Sequence, residues 1–285
     1  MTLPINRPFT LVLGSGGVKS VAGLGVAEVL QREGLHPAAV AGCSAGAVFG
    51  ALLAMGCRAP EAIRQATQLW SREITSRRRH RALLELALPG LMRFGDDFAM
   101  RDDRLIRERL RQAFGDSRLE QLATPMHVQA TDALSGEGVA LRSGSVVEAL
   151  RASVALPFLF APQPWGERLL VDGSLSQPLP VAAAEPSHVV LALGFRVPFP
   201  QRASSASRLA TRVTAALSNN LLDAQLANPD PHRLVLMVPA LERRVGLFDT
   251  EAMPYLLDLG RRAAEAALPR LRLLLGQRTA LSVAA

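Results

Sequence analysis

One short segment carries the residue types of a serine nucleophile. Gly42-Cys43-Ser44-Ala45-Gly46 follows the pattern G-x-S-x-G, in which small residues on both sides of the serine permit a tight turn. An apolar run precedes the segment and a helical pattern follows it. The turn is therefore predicted to hold the hydroxyl above a sheet, beside a helix N-terminus that favours negative charge. The sequence alone also allows a plainer interpretation, in which Ser44 only caps that helix.

A second glycine-rich segment runs from Gly14 to Lys19, again between a predicted strand and a predicted helix. A dinucleotide-binding loop needs glycine where Lys19 stands, and a Walker A loop needs a second glycine before its lysine. An oxyanion hole fits better, because backbone N–H groups in such a loop can converge on a developing negative charge. The loop also carries Lys19, the only lysine of the chain. A purely structural turn between strand and helix is the alternative.

A third segment, Asp172-Gly173-Ser174, follows a short apolar run. A carboxylate at the end of a strand can face a cleft and act as a base, whereas an ordinary turn aspartate is the competing interpretation. The order Ser44, Asp172 and then His188 or His232 also permits a Ser-Asp-His triad. The five histidines are scattered without metal-ligand spacing, so no metal site is expected.

The elements that must position these segments alternate between strand and helix patterns. Predicted strands are Phe9–Leu13, His36–Ala41, Met126–Asp132, Val139–Arg142, Leu169–Val171, Val189–Leu193 and Leu234–Val238. Predicted helices are Val18–Gly34, Ala47–Met55, Glu61–Arg81, Asp102–Phe114, Val146–Ala152, Ser205–Leu226 and Pro254–Leu275, the last kinked or split at Pro269. Such alternation predicts an α/β fold with a parallel sheet, and we expect a single domain over residues 1–285.

Composition and net charge indicate which classes of partner to expect. The 285 residues include 32 Lys+Arg and 25 Asp+Glu, a net charge of +7, but aromatic residues make up only 5%. Base stacking needs aromatic side chains among the positive charges, so a nucleic-acid partner is not expected, whereas weak attraction to anionic lipid is. The basic run Arg77–Arg81 precedes the leucine-rich stretch Ala82–Met92. The two stretches suggest a membrane-facing flap, although a solvated helix end beside a buried helix explains them as well.

Cysteine usage and hydropathy suggest a location. The chain has two cysteines, which is typical of a reducing compartment, and we expect it in the cytoplasm with peripheral contact at the inner membrane. The stretch Pro37–Cys57 lacks charge and is long enough to span a bilayer. Its four glycines and central Ser44 favour a strand followed by a buried helix instead.

In this order and spacing, the three segments resemble the motifs of the patatin-like phospholipases. The family's glycine-rich loop corresponds to Gly14–Ser20, its nucleophile elbow to Gly42–Gly46, and its Asp-Gly motif to Asp172–Ser174. The run Ala152–Pro157 is similar to the family's Ala-Ser-x-Ala-x-Pro block, and the resemblance spans roughly Thr10–Val181. The chain departs from the pattern in the loop, where Ser15, Lys19 and Ser20 stand in place of Gly, Arg and Gly.

The resemblance implies a three-layer α/β/α domain with a mainly parallel central sheet. Its motif-bearing core would cover about residues 10–200, and residues 201–285 would complete the same domain. It also implies a serine lipid acyl hydrolase that needs no cofactor or metal and acts on a lipid or acyl-ester substrate. The implied roles are Ser44 as nucleophile, Asp172 as base, Gly16, Gly17 and Lys19 at the oxyanion hole, Gly42 and Gly46 at the elbow, and Gly173 beside the base.

Three other functions stay open at this point. An α/β-hydrolase esterase would use a Ser-Asp-His triad, although that fold places its elbow after several strands, and here the elbow follows the second. An acyltransferase similar to malonyl transferases would also need a histidine partner and a later elbow. A catalytically impaired, lipid-binding member of the patatin-like family is the non-enzymatic alternative, because the loop carries Lys19 and Ser20.

Overall fold

The computed structural model describes residues 7–75, 95, 98–198 and 206–277. Within those ranges, strands of one mixed sheet alternate with helices. The strands are β1 (Phe9–Leu13), β2 (Ala39–Cys43), β3 (Met126–Asp132), β4 (Gly138–Leu141), β5 (Gln163–Trp165), β6 (Arg168–Asp172), β7 (Val189–Leu193) and β8 (Leu234–Met237). The α-helices are α1 (Ala22–Arg32), α2 (Ala45–Ala54), α3 (Ala59–Leu69), α4 (Arg104–Phe114), α5 (Val146–Ser153), α6 (Ala206–Gln225) and α7 (Met253–Leu274).

The sheet is mainly parallel, as the alternating pattern predicts. Its strand order is β5-β6-β3-β2-β1-β7-β8, and β4 also pairs with β3. The adjacent strands in the run β3-β2-β1-β7-β8 are all parallel. Strands β4 and β6 pair antiparallel with β3, and β5 pairs antiparallel with β6. The parallel strands therefore all end at one end of the sheet, which we call the carboxyl end.

Helices cover both faces of the sheet. Along β1, Leu11 and Leu13 belong to a large apolar cluster with residues of α1, α2 and α7, whereas Val12 belongs to a smaller cluster with Leu222 of α6. Successive side chains of a strand point to opposite faces, so these two clusters are the two sides of a three-layer α/β/α arrangement. The fold class inferred from the sequence is confirmed.

The second strand and the third helix have bounds that differ from the prediction. The second strand begins at Ala39 and continues to Cys43, because Pro37 lacks an N–H and pairing with β1 starts after it. In the predicted helix Glu61–Arg81, α3 ends at Leu69 and a short 3₁₀ turn follows at Arg72–Thr75, whereas residues 76–81 lie outside the described residues. Trp70 ends α3 because its backbone is extended and its ring packs against Phe49 and Phe248.

Two further differences involve proline. The sequence predicts a kink or a split at Pro269, and the split is wrong, because α7 continues past that residue to Leu274. Strand β5 was missed, since it has three residues and a proline at its centre. Proline is tolerated there because β5 is the last strand of the sheet, and Pro164 needs no N–H on its outer side.

The uncharged stretch Pro37–Cys57 forms β2 and α2. No helix in the part of the chain that the structure describes is both long and apolar enough to cross a membrane.

Candidate active site

Ser44 occupies a strained turn at the carboxyl end of the sheet. It links β2 directly to α2 with φ 55° and ψ −130°, a conformation that costs a non-glycine residue about 1–3 kcal/mol. The side chain makes no capping bond to α2, so the plainer interpretation of Ser44 as a helix cap is wrong. Its Oγ instead donates a hydrogen bond of 2.8 Å to Oδ2 of Asp172.

Glycines permit this turn by allowing backbone to approach backbone. A Cβ on Gly46 would lie 2.4 Å from the carbonyl oxygen of Leu13 and 2.5 Å from that of Gly14. A Cβ on Gly42 would lie 2.5 Å from Cα of Ala47. The start of α2 is therefore packed tightly against both the end of β1 and the glycine-rich loop that follows it.

Strand β3 brings Asp172 to Ser44. Strand β4 pairs with residues 128–131 of β3 on one edge, so β2 and β6 must share the other edge. There β2 ends with Cys43 opposite Gln129, and β6 arrives from the other direction and ends with Asp172 opposite Ala130. The last residue of β6 thus meets the turn after β2 end to end, although Ser44 and Asp172 are far apart in sequence.

Asp172 is a buried carboxylate with few compensating contacts. Its side chain accepts hydrogen bonds from the backbone N–H of Ser174 at 2.9 Å and from Ser44, and the residue is 2% exposed. Burial raises the pKa of Asp172 from 3.8 to about 6, although the hydrogen bonds from Ser174 and Ser44 oppose that rise. Such a group is ionised at neutral pH and has a pKa close enough to neutrality to exchange a proton.

Gly173 allows Asp172 to lie this close to β3. A Cβ on Gly173 would be 2.4 Å from the carbonyl oxygen of Gln129 and 3.0 Å from Sγ of Cys43. Burial, together with the charge of Asp172, raises the pKa of the Cys43 thiol well above its ordinary value. Cys43 is therefore a small packing residue rather than a second nucleophile.

Ser153 links the turn at Ser44 to β3 through two hydrogen bonds, a role that the sequence motifs do not predict. Its Oγ accepts a hydrogen bond from the backbone N–H of Ser44 at 2.8 Å and donates one to the carbonyl of Gln129 at 2.6 Å. The residue is fully buried at the end of α5. Its signal in the sequence was the block Ala152–Pro157, where a lone hydroxyl lies among small apolar residues.

The glycine-rich loop is fixed on both sides and has two uncommitted donors. Three N–H groups donate to carbonyls outside the loop at 2.8 Å each, Gly14 to Leu193, Ser15 to Pro178 and Val18 to Leu247. The N–H groups of Gly16 and Gly17, by contrast, have no hydrogen-bond partner within the described residues. Gly17 has φ 60°, and a Cβ there would lie 2.6 Å from the carbonyl oxygen of Leu247. The loop therefore presents two fixed donors of the kind that bind an oxyanion.

Lys19 differs from its two neighbours in the predicted oxyanion set. It lies in the 3₁₀ turn Gly17–Val21 and is only 3% exposed. Its ammonium group forms no hydrogen bond or ion pair with any residue that the structure describes, and burial lowers its pKa. Its contribution to the site is therefore a buried positive charge close to the loop, without a direct contact to Ser44 or Asp172.

The two histidines considered for a triad lie at the opposite end of the sheet from Ser44. His188 precedes β7 and bonds to Thr10 through Nδ1 at 2.9 Å, and His232 precedes β8. Both are at the amino ends of strands whose carboxyl ends border the site, and a strand of five residues spans about 16 Å. Among the described residues, no group of three or more His, Cys, Asp or Glu side chains could hold a metal ion.

Tryptophan is common at membrane interfaces, but the two tryptophans of this chain both pack against its apolar core. Trp70 is buried, and its indole donates to the carbonyl of Leu247 at 2.9 Å, so packing accounts for it. Trp165 is half-buried against the main core. The basic run Arg77–Arg81 and the leucine-rich stretch Ala82–Met92 lie outside the described residues.

Comparisons with known proteins give the same assignment as the motifs. A family model described as patatin-like phospholipase matches residues 11–185. An uncharacterized NTE family protein of Mycobacterium tuberculosis is 35% identical over 172 residues, which are 60% of this chain and 44% of that protein. Neuropathy target esterase sws of Drosophila persimilis is 29% identical over 172 residues, 60% of this chain and 11% of that protein. The chain thus spans less than half the length of these relatives.

Solved structures show a more distant likeness. VipD from Legionella pneumophila has a TM-score of 0.49 and 14% identity, covering 94% of this chain and 67% of VipD. ExoU from the type III secretion system of Pseudomonas aeruginosa, solved with SpcU, has a TM-score of 0.47 and 17% identity, covering 95% of this chain and 53% of ExoU. The match to the family model extends over more than half of the sequence and includes all three motifs, and on this basis the chain belongs to the patatin-like phospholipase family.

Proposed function

We propose that the chain is a serine lipid acyl hydrolase that cleaves carboxylic esters through an acyl-serine intermediate. The observation that carries the proposal is the 2.8 Å hydrogen bond from Ser44 Oγ to the buried carboxylate of Asp172. A serine held in a strained turn, with its proton already directed at a base, is the arrangement that nucleophilic catalysis requires.

In the acylation step, Ser44 Oγ attacks the ester carbonyl as its proton moves to Oδ2 of Asp172. The carbonyl oxygen becomes an oxyanion, and the uncommitted N–H groups of Gly16 and Gly17 stabilise it. The bond to the alcohol then breaks, and Asp172 returns the proton to the leaving oxygen. In deacylation, water gives a proton to Asp172 and attacks the acyl-serine; the bond to Ser44 Oγ then breaks, and Asp172 passes the proton to that oxygen as the fatty acid is released.

Exposed apolar side chains around the site support a lipid substrate. Leu247 is 45% exposed and lies against Gly17 of the loop, and Leu175 is 42% exposed, three residues after Asp172. Single exposed leucines are common on protein surfaces, but these two border the proposed nucleophile and its oxyanion donors. An acyl chain that extends from the reacting carbonyl would find apolar contacts there.

Peripheral contact with anionic membranes is part of the same proposal. The net charge of +7 favours attraction to a negatively charged lipid surface. Sedimentation with vesicles measures it, and we expect more binding to anionic than to zwitterionic vesicles and less binding at high salt.

The decisive experiment compares Ser44→Ala with Ser218→Ala, a serine on α6 outside the site. We expect wild type and Ser218→Ala to react with a fluorophosphonate probe and to hydrolyse a panel of phospholipids, lysophospholipids and nitrophenyl esters. Ser44→Ala should do neither while keeping the same circular dichroism spectrum. Normal turnover by folded Ser44→Ala would overturn the proposal, and a wild-type protein that binds lipid without labelling or turnover would support the lipid-binding alternative.

A further inference from the structure

A cavity of about 360 Å³, lined by neither Ser44 nor Asp172, lies where the start of α4 meets α5. Its wall carries four guanidinium groups, those of Arg101, Arg104, Arg107 and Arg151. Two carboxylates, from Asp102 and Asp103, also line it. The cavity is open to solvent and concentrates positive charge along its wall, and the reaction proposed above makes no use of it.

Arg151 is the most deeply buried charge at this cavity. The residue is 1% exposed, and its Nε donates to Oδ2 of Asp103 at 2.6 Å. Its Nη2 pairs with the same carboxylate and donates to the carbonyl of Ala161 at 2.9 Å. Its Nη1 is buried, with no hydrogen-bond partner among the residues that the structure describes. Leaving such a donor unsatisfied costs about 1–3 kcal/mol, so a further acceptor would be stabilised here.

The two carboxylates do not balance the four guanidinium groups. Asp103 is shared by Arg151 and by Arg107, which lies 3.6 Å away, and Asp102 pairs with Arg104. The guanidinium group of Arg101 forms no ion pair or hydrogen bond within the described ranges.

The fold adds to this excess of positive charge. Helix α4 begins at Arg104, so the positive end of its dipole lies at the cavity. Burial lowers the pKa of Arg151, the carboxylates of Asp103 and Glu148 raise it, and the charge of Arg107 lowers it. A bound anion would offset the desolvation and the repulsion together.

We propose that this cavity binds a phosphate-bearing anion. Phosphate offers several acceptor oxygens and up to two negative charges, which match two surplus guanidinium groups, and arginine binds it with parallel N–H bonds. A volume of about 360 Å³ admits a phosphate together with the group that carries it. Free phosphate and the phosphate of a lipid headgroup share this chemistry, and the experiment distinguishes them.

The experiment uses full-length Ser44→Ala protein, so that lipid is not consumed and catalysis plays no part in the readout. On this background, Arg101→Gln with Arg107→Gln removes two cavity charges while Arg151 keeps its partners. The control pair, Arg64→Gln with Arg262→Gln, removes two exposed charges outside the cavity. Titration calorimetry with inorganic phosphate at constant ionic strength gives the affinity, and thermal melting checks the fold. We expect saturable binding by the background and control proteins, and at least ~10-fold weaker binding by the cavity pair.

A second arm measures sedimentation with phosphatidylcholine vesicles, with and without phosphatidic acid. Weaker binding of the cavity pair than the control pair to phosphatidic acid vesicles identifies a lipid headgroup as a ligand. Arginine-dependent binding of phosphate, with equal vesicle binding by the two pairs, identifies free phosphate. If the two pairs behave alike in both arms, or if the background protein binds neither probe, the proposal is overturned.

Discussion

The buried carboxylate of Asp172 should make the protein less stable as pH rises, and Asp172→Asn should remove that effect. In the folded protein the carboxyl has a pKa of about 6, against 3.8 for an unperturbed aspartate. Between those two values the folded state holds a proton that the unfolded state has lost. The free energy of unfolding therefore falls as pH rises through this window.

The size of the effect follows from the displacement of the pKa. Each pKa unit corresponds to 1.36 kcal/mol, so the shift from 3.8 to about 6 is worth about 3 kcal/mol above pH 6. Asparagine keeps the shape without the charge. Its carbonyl oxygen can accept from the Ser174 N–H, and its amide can donate to Ser44 Oγ. We expect wild type and Asp172→Asn to unfold with similar free energies near pH 4, and the variant to be more stable by up to about 3 kcal/mol at pH 8.

Urea unfolding at intervals from pH 4 to pH 8 tests this, with Asp258→Asn as the control. Asp258 lies exposed on α7 beside Arg262, and its replacement should produce no comparable pH-dependent gap. Hydrolysis by Asp172→Asn should be lost across the whole range, since the base is gone. A stability gap that does not widen between pH 4 and pH 8, or an Asp172→Asn protein less stable than wild type at pH 8, would refute the reasoning.

Four further substitutions and one control test the rest of the site. Gly17→Ala should lower kcat by ~10²–10³, the usual effect of losing an oxyanion donor. The control Gly34→Ala should leave kcat unchanged, because Gly34 has a similar φ of 67° and a Cβ there would meet no described atom within 4 Å. Ser153→Ala should cost about 1–3 kcal/mol in unfolding free energy and lower kcat, because the Ser44 N–H loses its acceptor; unchanged values for both would reject that role. His188→Gln and His232→Gln should retain the kcat of wild type, and a loss as large as that of Ser44→Ala would restore the triad.

The local turns could be predicted from the sequence because their causes are local. Glycines around Ser44 and before Lys19 indicate tight turns between a strand and a helix, and alternating patterns predict the parallel sheet. The end of α3 was harder to predict, because it depends on a distant contact. Trp70 ends α3 by packing against Phe248, and nothing in the neighbouring sequence shows that partner.

The support of the site was harder to predict for the same reason. Ser153 bonds to a residue 109 positions away, and its place in a small-residue block gives no sign of that partner. Lys19 was grouped with the oxyanion donors because it is the only lysine. The fold buries it instead, since the turn that frees the N–H groups of Gly16 and Gly17 places the next residues in the core.

The shared edge of β3 has a consequence for how the chain can be altered. The separation of Ser44 and Asp172 depends on the pairing of Gln129 with Cys43 and of Ala130 with Asp172, and not on the lengths of the connecting segments. Insertions in the exposed β3–β4 connection should therefore leave the contact between Ser44 and Asp172 intact. A slip of β6 by a single residue would move the carboxylate about 3.3 Å along the strand and turn it to the opposite face of the sheet. The loops of this chain can therefore be lengthened while the hydrogen-bond register of three strands keeps the side chains of Ser44 and Asp172 together.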